Sequence, residues 1–367
     1  MRNELERIVL PDEHAARERT WRVVEAAFAE RQPAERRSRR LRPVLVLVGA
    51  IAVLAAIVSP PGRAVLGEIR EVVGVERAQP ALFSLPAPGR LLVSSDAGVW
   101  VVQQDGSKRL LGDYSEASWS PFGRFVVATR TNELAALEPD GEVRWTLARP
   151  DVRAPRWTGT ETDTRIAYVD RTGLRVVAGD GIGDRLLVPG VRGPLAWRPG
   201  RGFVLAYATA RHVWVVNADT GDVLWRAARS PGSAVFEWSA EGRMLLVVSP
   251  HHIRLHDTLG HVFERSEPAK AWPNAAAARP GSRQIALALA RGSQSRAYVM
   301  NGRNLFSGTG VFRQLAWSPD GRWALVTWPT ADQWVFVDAD GKKIRAVANV
   351  SEQFRSQSFP GIQGWVP

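Results

Sequence analysis

The undecapeptide Trp317–Thr327, WSPDGRWALVT, returns along the chain at a nearly constant step. Clear copies begin at Trp119 (WSPFGRFVVAT), Trp197 (WRPGRGFVLAY) and Trp238 (WSAEGRMLLVV). Weaker ones begin at Trp157, at Ala278 (ARPGSRQIALA) and at Leu85 (LPAPGRLLVSS), the last without the Trp. The six steps lie between 34 and 41 residues. A second marker keeps the same period: a Gly closes a polar turn after a strand-like run at Gly106, Gly141, Gly181, Gly221, Gly260, Gly302 and Gly341. Two independent markers on one period indicate a repeat architecture.

Each marker has a structural chemistry. In Ser318-Pro319-Asp320-Gly321, Ser first, Pro second and Gly fourth suit a type I turn. The Trp ahead of it is an apolar plate able to pack on a neighbouring unit. Asp-Gly in DADGKK is a hairpin signal. Short β-branched and aromatic runs such as WALVTW and QWVFVDA lie between the markers. Each repeat therefore reads as four short strands, and four strands per 40 residues indicate an all-β, seven-bladed β-propeller over residues 82–367.

The first unit offers only three strands, RLLVSS, VWVVQQ and KRLLG, and an open ring exposes unpaired backbone edges. The chain ends in Ile362-Gln363-Gly364-Trp365-Val366-Pro367, which repeats the pattern of RQLAWSP with Trp365 at the marker Trp. The C-terminal strand is therefore expected to return to the first blade and close the ring. Removing those six residues should destabilise it.

The Trp-Ser-Pro-Asp-Gly-Arg marker resembles the repeat of TolB-type, WD40-like propellers, although the Trp-Asp dipeptide of true WD40 repeats is absent. Val215–Trp225, VVNADTGDVLW, is similar to the repeat of quinoprotein-like propellers, in which Thr-Gly and Trp pack blade against blade. That resemblance does not bring a quinone cofactor with it, and no cofactor is expected.

Ahead of the propeller the composition changes. Residues 44–58, VLVLVGAIAVLAAIV, contain no polar side chain, follow the basic flank RRSRRLR and stop at Pro60-Pro61. Apolar length, an Arg-rich flank and a proline stop indicate one transmembrane helix over 43–60, with the N-terminus cytoplasmic and the propeller extracytoplasmic. A cleaved signal peptide would need a charged region over 40 residues long, which is far outside the usual form. Residues 61–81 read as a juxtamembrane helix and linker.

Residues 1–42 form an expected cytoplasmic helical head. Over residues 12–31 no Gly or Pro interrupts, and Trp21, Val24 and Phe28 fall on one helical face. So short a helix cannot bury that face alone. Docking on a cytoplasmic partner, lying on the inner leaflet and a loosely ordered tail are three readings of it. The order of head, span, SPPGRAVLGEI and outer propeller resembles actinobacterial membrane proteins associated with alternative sigma factors. The resemblance implies a sigma factor as partner of the head. The His-x-x-x-Cys-x-x-Cys zinc motif of many such heads is absent, since the chain has no Cys.

The net charge is +11, and only four of the 48 basic residues are Lys. The excess is diffuse rather than clustered, which argues against nucleic acid as partner. No nucleophile elbow, zinc-protease helix or phosphate loop occurs, so no catalytic residue is assigned. His251, His252, His256 and His261 crowd into HHIRLHDTLGH, but Arg254 stands between two of them on one strand face and repels a cation. They read as polar strand positions, not a metal site. Recurrent Asp140, Asp219, Asp338 and Asp340 read as hairpin chemistry. The chain is expected to be a non-enzymatic propeller binding a protein, peptide or wall ligand. The alternative is an extracytoplasmic hydrolase or lyase with a site at the axial mouth.

Overall fold

The computed structural model describes residues 84–200, 202–229, 235–249, 252–265, 272–300 and 302–367. The expected head, span and linker, with Trp21, Val24 and Phe28, lie outside the described residues. Among the described residues no helix is long and apolar enough to cross a membrane.

The described strands, numbered β1 to β28 in chain order, form seven antiparallel sheets of four. Each sheet is a blade. The innermost strands are β28 (Gly361–Val366), β4 (Glu116–Trp119), β8 (Arg153–Gly159), β12 (Leu195–Trp197), β16 (Val235–Trp238), β20 (Trp272–Ala278) and β24 (Leu315–Trp317). Each touches the next in that order, and β24 touches β28, so the ring is complete. The expectation of seven blades holds.

Sequence explains the radial gradient within a blade. Middle strands such as β2 (Gly98–Val102, GVWVV) and β13 (Val204–Ala208, VLAYA) are buried along their whole length, because blades cover both faces. Such strands read as continuous apolar runs. Outermost strands alternate instead: β7 (Val143–Ala148) has one face exposed throughout.

The closing strand behaves as the terminal pattern predicts. β28 pairs antiparallel with β1 (Arg90–Ser95), matching Leu91 to Trp365 and Arg90 to Val366. The first repeat is thereby split between the two ends of the propeller. Trp365-Val366-Pro367 supplies the first half of the marker and Gly89-Arg90 the second. Arg90 Nε donates to the Pro367 carbonyl at 3.3 Å. A Cβ on Gly89 would stand 2.3 Å from the Val366 carbonyl oxygen, so no larger residue fits at that junction. Trp365 is buried and meets Phe336 edge-on at 5.7 Å. Truncating a buried Trp typically costs about 3–5 kcal/mol.

The marker turns are built as expected. Ser120, Ser239 and Ser318 accept from Gly123, Gly242 and Gly321 at 3.0, 2.7 and 2.8 Å. Their hydroxyls accept a second amide, from Phe125, Met244 and Trp323. The first turn departs in one respect, since Phe122 takes φ +63°. All seven hairpin glycines of the second marker have φ between 73° and 98°, which L side chains resist.

One element has no periodic signal. A short helix, α1 (Val350–Gln353), precedes β28. Val350 and Phe354 are fully buried there, and Phe354 packs on Trp100 and Trp334 between the first and last blades. The apolar void beside them, lined by Leu85 and Trp334 among others, measures about 10 Å³ and admits no ligand.

Candidate functional site

An innermost strand has one free backbone edge, and that edge faces the propeller axis. The residue before each marker Trp, or its equivalent, takes the same position on each innermost strand: Gly364, Ser118, Arg156, Ala196, Glu237, Ala277 and Ala316. Its backbone is tied to the next blade. The indoles of Trp197, Trp238 and Trp317 donate to the carbonyls of Arg156, Ala196 and Ala277 at 2.8, 3.2 and 3.2 Å.

The polar side chains of the innermost strands satisfy amides that the edge leaves open. Ser118 Oγ accepts Trp157 N, and Glu237 Oε1 accepts Ala278 N at 3.0 Å. Glu116 Oε2 takes Ala154 N at 2.5 Å, and Gln314 Oε1 takes Ile362 N at 2.7 Å. An unpaired buried amide is costly, so this is a physical reason for polar residues near the axis.

Five ring positions are small. The other two are Arg156 and Glu237, on the third and fifth blades. They interact electrostatically although the fourth blade stands between them, with only Ala196 at its ring position. Arg156 is exposed. Protein nevertheless hems it in and lowers its pKa by desolvation, against the opposing pull of Glu116 and Glu237. Burial pushes Glu237 up to about 7, while the Ala278 amide and Arg156 hold it back.

Between blades, arginines reach from one marker to the next. Arg90, Arg198 and Arg279 donate to the carbonyls of Gly123, Gly242 and Gly321 at 2.8, 2.7 and 2.8 Å. The same guanidinium groups lie over Trp119, Trp238 and Trp317. Part of the basic excess is therefore interblade mortar rather than a partner-binding charge.

A second candidate lies on the outer rim. Gly260, in the hairpin of the fifth blade, sits on the Trp225 ring of β15 (Val223–Ala228) in the fourth blade. Beside that contact Val223 and Leu224 are 52% and 49% exposed. Leu259, Val262 and Phe263, in the hairpin and on β19 (Val262–Arg265), are 72%, 47% and 61% exposed. Five large apolar residues are thus exposed on the outer strands and hairpin of two adjoining blades. Trp225 itself packs on the hairpin of the next blade. Gly221 of the same repeat meets no neighbouring blade.

The histidine-rich strand separates rather than converges. His256 is buried and stacks on Trp225 at 5.0 Å, and burial lowers its pKa. His261 is turned to Asp257, 2.8 Å away. Among the described residues no group of three His, Asp or Glu could hold a metal ion. The turn carboxylates do more than hairpin chemistry. Asp338 caps the amides of Lys342 and Lys343, but Asp219 pairs with Arg165, and Asp340 with Arg303, of the preceding blades.

Comparison with known proteins adds the fold and nothing finer. No family model matches the chain, and no curated protein matches it. Solved structures do. The β-propeller domain of Myceliophteria thermophila Cps50 (Swd1) has a TM-score of 0.54 at 12% identity, covering 69% of this chain and 95% of that one. A chain in the crystal structure of the Mitotic Checkpoint Complex gives 0.53 at 16% identity, covering 76% and 100%. The fold is that of a WD40-like β-propeller.

Sequence reasoning did not single out Arg156 and Glu237. The signal was available one place before each marker Trp, where five small residues and two charged ones stand in register. The rim had no such signal, because exposure of an outer strand depends on what covers it.

Proposed function

We propose that the chain is a non-enzymatic, membrane-anchored propeller of TolB type whose outer domain docks a protein or peptide. The observation that carries this is the apolar rim formed by Val223, Leu224, Leu259, Val262 and Phe263. Large apolar residues exposed in number on neighbouring strands favour an interaction surface. β19 is also an outermost strand whose outer edge has no strand partner among the described residues, and an extended segment could pair with it. One propeller neighbour is a chain of a protein complex, which is consistent with this reading. The apolar run 44–58 with its Arg flank supports the anchor, and the Trp21, Val24, Phe28 stripe supports a cytoplasmic partner, in our reading a sigma factor.

The test is a cross-linked pull-down from native membranes. Three forms are compared: the full chain, Leu259→Ser/Phe263→Ser, and Trp21→Ser/Val24→Ser/Phe28→Ser. The proposal expects an envelope protein or peptide to be lost from the first variant and a sigma factor from the second. Recovery of the same proteins with all three would refute docking at both places. A chain found in the aqueous fraction would refute the anchor.

A further inference from the structure

Two stacked rings join the hairpin of the fifth blade to the fourth. His256 ends β18 (His252–His256), opposite Leu245 of β17 (Leu245–Ser249) and Val262 of β19. It is 1% exposed and lies on Trp225, with 5.0 Å between ring centroids and 17° between planes. Gly260 closes on the same indole, where a Cβ would come within 3.0 Å of it. His256 Nδ1 is 3.5 Å from the Gly260 carbonyl. A carbonyl only accepts, so Nδ1 carries the proton and Nε2 is the basic atom. Nε2 is buried and has no hydrogen-bond partner, and the same holds for Trp225 Nε1.

The charged and titratable groups around the ring do not serve Nε2. In the hairpin, Asp257 Oδ2 is 2.8 Å from His261 Nδ1, while Oδ1 accepts the amides of Leu259 and His261. On β18, Arg254 donates to the Ala228 carbonyl of the fourth blade and opposes a second positive charge on the strand. His252 stands at the far end of the strand, opposite Ser249. β19 carries Glu264 and Arg265, in register with Arg254 and Ile253 rather than with His256. β15 carries Arg226, which lies over Trp214. β17 carries no titratable side chain. A proton on Nε2 therefore puts a charge and an unmatched N–H donor into a buried interface. Moving the hairpin off Trp225 lets water reach both.

We infer that His256 is a proton-operated latch, whose protonation parts the hairpin of the fifth blade from Trp225 and divides the apolar rim. Val223 and Leu224 precede Trp225 on one side of the contact, and Leu259, Val262 and Phe263 lie on the other. The consequence for docking rests on the reading of the rim proposed above. The opening itself does not, and it is measured with no partner present. Burial already lowers the pKa of His256, so the closed contact holds the neutral ring. An opened, hydrated imidazole titrates near about 6.5. The closed form therefore keeps its full stability above about pH 6.5 and loses it as pH falls below that value, the open fraction rising by up to about tenfold per pH unit.

The test is hydrogen exchange of the full chain at pH 7.5 and pH 5.0, corrected for the intrinsic exchange rate and read in peptides covering residues 256–263. Protection there should fall by about tenfold or more at the lower pH. His256→Phe keeps a ring on Trp225 but cannot titrate, so its protection should not change with pH. His256→Gln gives the same readout if the Phe variant does not fold. His261→Gln removes the neighbouring Asp257 pair and should leave the fall intact. Protection independent of pH in the parent, a fall that persists in His256→Phe or His256→Gln, or its disappearance in His261→Gln would overturn the inference. A fall that follows this pattern supports the latch even where the pull-down finds no partner at the rim, so the two readings fail separately.

Discussion

Ser358 donates its hydroxyl to Asp96 Oδ1 at 2.6 Å, while the amides of Gln357 and Ser358 reach Oδ2 at 2.8 and 2.9 Å. The Asp96 amide in turn donates to Ser356 Oγ at 3.0 Å. Asp96 is the turn between β1 and β2, and Ser358 leads into β28. The carboxylate therefore fastens the segment that delivers the closing strand to the blade it completes.

That latch titrates. The Ser358 hydroxyl, with the Ser358 amide, Ser356 and the Gln357 amide, lowers the Asp96 pKa from 3.8 to about 2. A carboxylate with a depressed folded-state pKa contributes stability above its unfolded value and loses it as pH falls through the folded value. Asp96→Asn should therefore melt below the parent at pH 6, with the gap closing between about pH 4 and pH 2. Thermal melts across that range check it. Parallel pH curves would show that the latch does not form.

Trp365→Ala should lower stability by about 3–5 kcal/mol, because the indole is buried against Phe336 and Leu91. Denaturant unfolding measures the cost. A loss under about 1 kcal/mol, as surface positions give, would mean that Trp365 does not occupy the marker site.

Glu237 has the opposite sign to Asp96. Burial raises its folded pKa to about 7 from 4.5. A raised carboxylate favours the fold below the unfolded value and disfavours it as pH rises through the folded one. Glu237→Gln, without added ligand, should gain thermal stability relative to the parent on going from pH 5 to pH 8. A difference independent of pH would place Glu237 in bulk water rather than in the lumen.

Asp184 is the hub of a network on the third blade. Arg149, Arg175 and Tyr168 all donate to it, and its side chain is only 6% exposed. Asp184→Ala strands two guanidinium groups and should cost about 3–5 kcal/mol. Arg149 belongs to the second blade, so the loss should appear as separation of blades two and three in hydrogen exchange. Exchange confined to the Asp184 turn would contradict an interblade role.

The repeat was legible because its signals are local. Ser-Pro-x-Gly builds a turn whatever its surroundings, and Trp365 identified the closing strand because a terminal Trp has little other use. The split of one marker between Pro367 and Gly89 follows from the same pattern. What could not be read depends on relations between blades. α1 is a single turn held by Val350 and Phe354, too short for helical periodicity. Glu237 is an ordinary edge residue in its own repeat and meets the Ala278 amide only once the ring sets the sixth blade beside the fifth. Leu259 and Phe263 alternate like any outer strand until the structure leaves them uncovered.

Ring closure by residues 361–366 underlies the lumen and the rim alike, and hydrogen exchange compares the full chain with one ending at Pro360 most directly. Alternate amides of β1 pair with β28, so those of Leu92 and Ser94 should lose protection in the truncated chain, with loosening spreading to the seventh blade through Phe336. Unchanged protection of β1 in a folded, truncated chain would contradict a propeller closed by its C-terminal strand.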